Sequence, residues 1–131
     1  MKKLINALTK AFGGHSKTSE DYYNQGNAKC RIQNYREAID DYTKAIELNP
    51  EFVMAYNNRG NAKIAIEDYR GGVDDFTKAI EINPNHAEAY YNRGVTKSYY
   101  LGQKDSGRMD LIIAGDLGIT TADEAIKTFC Q

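Results

Sequence analysis

Two histidines, His15 and His86, are the only imidazoles in the chain. Neither has a second ligand or a base at helical or cross-strand spacing, so neither builds a metal site or a general acid–base pair. Cys30 and Cys130 lie far apart and match no redox or zinc spacing. They read as reduced thiols of a cytoplasmic protein. Gly13-Gly14 and Gly71-Gly72 lack the residues that surround a phosphate loop, and no Ser or Cys sits in a nucleophile motif. What remains is paired carboxylates, Asp40-Asp41 and Asp74-Asp75. They recur 34 residues apart, with Asp110 as a partial third match, and recurrence favours structure over catalysis. Lys29, Lys63 and Lys97 recur at the same period, as do Arg59 and Arg93 with Gln25 in the first unit. The expected arrangement is a ladder of base–aspartate pairs between helices, worth about 0–1 kcal/mol per exposed pair. The chain is therefore read as no enzyme, with no cofactor and no metal.

Composition narrows the class further. With 17 basic against 18 acidic residues and a net charge of −1, nothing favours nucleic acid. No run of apolar residues is long enough for an integral membrane span. Two prolines and no Ser/Gly-rich tract leave no interdomain linker in 131 residues.

The elements that carry these residues are set by the 34-residue period. Tyr22-Tyr-Asn-Gln-Gly26 returns as Tyr56-Asn-Asn-Arg-Gly60 and as Tyr90-Tyr-Asn-Arg-Gly94. Tyr42-Thr-Lys-Ala-Ile-Glu-Leu-Asn-Pro50 returns as Phe76-Thr-Lys-Ala-Ile-Glu-Ile-Asn-Pro84. Such a period marks a repeat array. Within each unit apolar residues fall at helical spacing, as in Ala38, Ile39, Tyr42, Ala45 and Ile46. Asn-Pro closes the second helix, because Pro has no N–H and forces its predecessor out of helical geometry. Antiparallel helices about 8–10 Å apart leave no room for long side chains at the crossing. Gly26, Gly60, Ala45 and Ala79 suit those crossings, with large aromatics filling the holes beside them. Gly72 suits a crossing as well, whereas Gly71 costs about 1 kcal/mol of helix stability with no evident reason.

This pattern of aromatic, glycine, small residues and closing proline resembles the tetratricopeptide repeat family. The resemblance implies an all-α, right-handed solenoid of helix-turn-helix repeats over about 19–52, 53–86 and 87–119. Together with a capping helix over about 121–130 these form a domain spanning 18–131. The third unit departs from the period: Ala45 to Ala79 is 34 residues, but Ala79 to Ala114 is 35. A one-residue longer turn around Gly102–Asp105 accommodates this, before a second helix from Ser106 to Leu117. Thr121-Ala-Asp-Glu124 reads as a capping box for the last helix.

Residues 1–17 form a separate basic amphipathic segment, with Leu4, Ile5, Leu8, Ala11 and Phe12 on one stripe and Lys2, Lys3, Lys10 and Lys17 unmatched by acids. Three arrangements stay open for it. It covers the first repeat or frays, it lies on an anionic membrane surface through residues 1–12, or it docks in a groove or on another copy.

In the resembled family the first helices of successive repeats line a concave groove. The matching positions are Tyr23, Asn24, Asn27, Cys30 and Arg31; Asn57, Asn58, Asn61 and Ile64; and Tyr91, Asn92, Val95, Ser98 and Tyr99. Asparagine recurs, and its amide both donates and accepts, which suits an extended peptide. One subclass grips a C-terminal carboxylate with Lys and Arg flanking two Asn. Here the Asn positions are Asn27 and Asn58, but Tyr23, Glu88 and Asn92 replace the cations. A chain-terminal carboxylate would have no charge-assisted partners. The resemblance thus implies an adaptor that binds a neutral peptide or a helix of a protein partner. The alternative is a self-assembling scaffold, a homo-oligomer formed through the exposed terminal repeat or the N-terminal helix.

Overall fold

Thr18 ends an extended stretch and starts the first helix. Its hydroxyl accepts from the Asp21 N–H at 3.1 Å, and the Asp21 carboxylate accepts from the Thr18 N–H at 2.9 Å. This reciprocal cap satisfies two N–H groups that the helix itself cannot. The structure, a computed structural model, describes residues 1–4 and 16–131. The central part of the N-terminal amphipathic stripe, His15 and Gly13-Gly14 lie outside the described residues, so the membrane-surface and docking arrangements do too.

From Thr18 the chain is helical throughout, with no strand among the described residues. The helices are α1 (Ser19–Arg31), α2 (Tyr35–Leu48), α3 (Val53–Ala65), α4 (Tyr69–Ile82), α5 (Ala87–Val95), α6 (Lys104–Asp116) and α7 (Ala122–Phe129). α5 runs on into a π-helical turn over Thr96–Tyr100. None of the described helices is long and apolar enough to cross a membrane. α1 packs on α2, α3 on α4 and α5 on α6; α2–α3 and α4–α5 contacts then join the pairs into an array, and α7 covers α6.

The pairing rests on the small residues the period placed at the crossings. A Cβ at Gly26 would stand 2.5 Å from the Tyr42 ring, and one at Gly60 2.6 Å from the Phe76 ring. At Gly94 it would stand 2.8 Å from Leu111 Cγ and equally close to the Gly107 carbonyl. Tyr42, Phe76 and Leu111 are in turn fully buried, as are Ala38, Ala45 and Ala79. Each glycine thus opens the hole that the facing large side chain fills.

The third unit absorbs its extra residue differently from the expected long turn. The left-handed turn residue follows the first tyrosine of each unit: Gln33 (φ 60°) eleven residues after Tyr22, Glu67 (φ 67°) eleven after Tyr56, Gly102 (φ 67°) twelve after Tyr90. The turn itself is unchanged. The insertion lies upstream, where one helical turn widens to π geometry over Thr96–Tyr100. The widened turn brings Ser98 against α6, where any Cβ at Gly107 would collide with the Ser98 hydroxyl. α6 accordingly starts at Lys104, not Ser106.

Two further expectations change. Thr121 stands at the N-cap of α7 but its side chain makes no capping bond, so the predicted box is absent. Its φ of −88° and ψ of 1° depart from the extended backbone a capping hydroxyl needs. Gly71 acquires a reason: its N–H donates to Asp68 Oδ1 at 3.0 Å, and a Cβ there would strike that capping carboxylate.

Candidate binding groove

The base–aspartate ladder positions the first helices against the second. Arg59 grips Asp75 through both forks, Nε to Oδ2 at 2.9 Å and Nη2 to Oδ1 at 2.7 Å. Arg93 holds Asp110 the same way at 2.8 and 2.7 Å. Lys63 and Lys97 approach the same carboxylates at 3.1 and 3.5 Å. Each arginine also donates backwards, Arg59 to Thr43 Oγ1 and Arg93 to Thr77 Oγ1, tying each repeat to the one before. The Asp75 and Asp110 side chains are only 5 % exposed, so these are not the solvated pairs expected. Bidentate geometry away from water makes each rung stronger than an exposed pair. In the first unit Lys29 pairs with Glu37 instead, and the side-chain hydrogen bond to Asp41 among the described residues comes from Gln25.

A second set of rungs runs between first helices. Asn58 Nδ2 donates to Tyr23 OH at 3.1 Å, and Asn92 Nδ2 donates to Asn57 Oδ1 at 3.2 Å, both across 35 residues. The asparagine of one repeat thus reaches the preceding residue type of the last. Asn58 Nδ2 also donates to Asn27 Oδ1 at 3.0 Å, which accepts from Tyr42 OH at 2.6 Å. Cys30 Sγ lies 3.4 Å from the same phenol. Burial, chiefly, pushes the Tyr42 phenol well above the ordinary phenol range, and the Cys30 thiol adds to it. Asn27, Cys30, Tyr42, Asn58 and Asn61 line a pocket of about 190 Å³ between the first two helix pairs.

Models of the tetratricopeptide repeat match residues 19–52 and 53–86, and a second such model matches 76–109. The chain belongs to the tetratricopeptide repeat family. Among solved structures, an Arabidopsis OM64 tetratricopeptide domain is similar at 29 % identity and a TM-score of 0.82, covering 86 % of this chain and 93 % of that one. The first such domain of Spaghetti (RPAP3), solved with the HSP90 peptide SRMEEVD, has 22 % identity and a TM-score of 0.82, with 86 % and 90 % covered. The second domain of human RPAP3, solved with the HSP70 peptide SGPTIEEVD, has 23 % identity and a TM-score of 0.81, with 86 % and 95 % covered. Among curated proteins none matches this sequence.

The tetratricopeptide array distributes the remaining groove positions unevenly. Tyr23, Asn27, Asn58 and Asn61 come together around the pocket, while Asn24 and Arg31 are exposed on α1. Asn57 is 1 % exposed and serves the Asn92 rung. Ile64 packs where Gly72 leaves room on α4. Tyr91 and Val95 pack on the cluster of Leu111, Ala125 and Cys130, beside Phe129 of α7. Ser98 is buried and lies 3.3 Å from Cys130 Sγ, a position the π turn imposes. Tyr99 is 62 % exposed, edge-on to Tyr100 and Phe129. Tyr42 joins the lining although its spacing marks only a core residue; the signal that could have found it is the phenol it carries where the next repeat has Phe76. His86 caps α5, its Nδ1 accepting from the Ala89 N–H at 3.2 Å.

Proposed function

We propose that this chain is a non-enzymatic interaction module that binds a peptide or helix of a partner protein in the concave face of its array. The observation that carries the reading is the pocket between the first two repeats, where asparagines and a buried tyrosine meet in one hydrogen-bonded set. The relatives solved with HSP90 and HSP70 peptides support peptide binding as the mode. Their ligands end in carboxylates, and the positions where this chain would need cations hold Tyr23, Glu88 and Asn92. A neutral internal segment therefore suits this groove better than an acidic chain end. Panning a displayed peptide library on the full chain, then titrating the selected peptide against Asn61→Ala, tests this. Asn61 is exposed, so its loss leaves the fold intact. Affinity falling about tenfold supports the reading; unchanged affinity contradicts it.

A second reading, self-association through the third repeat, draws on α6. Met109 and Ile112 are 66 % and 47 % exposed there, at positions where earlier repeats carry Asp40 with Thr43 and Asp74 with Thr77. Exposed apolar pairs on an otherwise polar face favour contact with another surface. Light scattering over a concentration series decides it, a concentration-independent monomer being the contrary result.

A further inference from the structure

The hydrogen bonds already made inside the pocket decide what is left for a ligand. Asn27 Oδ1 accepts twice, from Tyr42 OH and from Asn58 Nδ2. Its own Nδ2 makes no hydrogen bond among the described residues. Asn58 is the converse: Nδ2 donates to Asn27 and to Tyr23, while Oδ1 accepts nothing among the described residues. Each amide spends one end on the other, and the two spare ends are of opposite kind. Turning both amides over together preserves the pair and only exchanges the spare ends. One donor group and one acceptor are therefore offered in either arrangement.

A side-chain group that accepts at one atom and donates at the next is a carboxamide. A trans main-chain peptide unit points its C=O and N–H to opposite sides, so one unit does not meet both spare ends at once. A carboxylate only accepts, so one of its oxygens would be set against the spare acceptor. Among the described residues no cation lines the pocket to offset that clash: its lining is Asn27, Cys30, Tyr42, Asn58 and Asn61. Arg31 is exposed on α1 outside that lining, Lys29 is held by Glu37, and Arg59 and Lys63 by Asp75. An apolar side chain would bury both spare ends without partners, at about 1–3 kcal/mol each. The volume of about 190 Å³ holds roughly six waters' worth of space, enough for one side chain and not for a folded element. Resting on the groove reading above, we propose that the pocket lined by Asn27, Asn58 and Asn61 takes the carboxamide side chain of a glutamine or asparagine in the bound segment.

The probes are three blocked residues that share a backbone: N-acetylglutamine, N-acetylglutamate and N-acetylleucine methylamides. They are titrated into the full chain while the side-chain amide resonances of Asn27, Asn58 and Asn61 are followed by NMR. The glutamine probe is expected to shift these signals saturably, with an apparent Kd at least about tenfold below that of the glutamate probe. The leucine probe, which carries only the backbone amides, is expected to shift them little. Asn27→Asp keeps the oxygen that Tyr42 and Asn58 use and removes the spare donor. It should weaken the glutamine probe severalfold without lowering the melting midpoint by more than a few degrees. Equal shifts from glutamine and glutamate, or from glutamine and leucine, overturn the proposal. So does silence from all three probes. If the probes are silent while a library-selected peptide still depends on Asn61, the carboxamide falls and the groove stands. If neither responds, both fall.

Discussion

Gln25 reaches only one oxygen of Asp41, Nε2 to Oδ1 at 3.4 Å, and the other oxygen is buried with no hydrogen-bond partner among the described residues. In the next two repeats the same place holds an arginine gripping both oxygens. The first rung of the ladder is therefore incomplete. Gln25→Arg should complete it, adding on the order of 1 kcal/mol and about 4 °C to the melting midpoint. A midpoint that falls would show that Asp41 cannot receive a guanidinium from α1.

The complete rungs should be costly to break. Arg93→Ala leaves Asp110 buried without its bidentate partner, and Lys97 at 3.5 Å replaces it poorly. A loss of about 3 kcal/mol in urea unfolding is expected. Arg93→Lys keeps the charge but not the fork, so it should fall between wild type and alanine. An alanine variant within 0.5 kcal/mol of wild type, roughly the effect of an ordinary surface substitution, would return these pairs to the solvated class.

Gly60 tests the crossing. Its replacement by Ala drives a methyl into the Phe76 ring, with the Gly72 carbonyl 3.1 Å away on the other side. Gly60→Ala should cost about 1–3 kcal/mol despite its better helix propensity. Adding Phe76→Leu vacates the ring, so the double variant should lose less than the sum of the singles. Strict additivity would separate the two residues.

Much of this was legible beforehand, and for a physical reason. Gly26 with Tyr42 and Gly60 with Phe76 repeat at one period because the same crossing is built twice, so spacing exposes both helices and their contact. Spacing is silent about where an insertion goes. One residue between Lys97 and Lys104 fits a longer turn or a wider helix equally well. Gly102 at φ 67° would have decided it, but Gln33 and Glu67 adopt that conformation without being glycine and so hide the turn's register. The asparagines are legible by position, yet their contacts with each other, Asn58 with Asn27 and Asn92 with Asn57, lie 31 and 35 residues apart, off the repeat period. That is why Asn57 looked like groove surface and is interior.

Tyr42 carries a pH dependence. Its phenol is held neutral by burial, with its folded value above the unfolded one. The stability this contributes is fully present below about pH 10, the unfolded value, and is lost as pH rises beyond it toward the folded one. Tyr42→Phe should therefore lose stability at neutral pH, by about 1 kcal/mol for the bond to Asn27, and show a shallower decline above pH 10. Denaturant melts at pH 8 and pH 11 on both proteins check this. Parallel declines would mean the phenol titrates freely.

Backbone chemical-shift mapping of a library-selected peptide on the full chain tests the groove most directly. The predicted result is a set of saturable shifts along α1, α3 and α5, centred on Asn27, Asn58 and Asn61, with α6 unmoved. Shifts centred on Met109 and Ile112, with the asparagines silent, would contradict it.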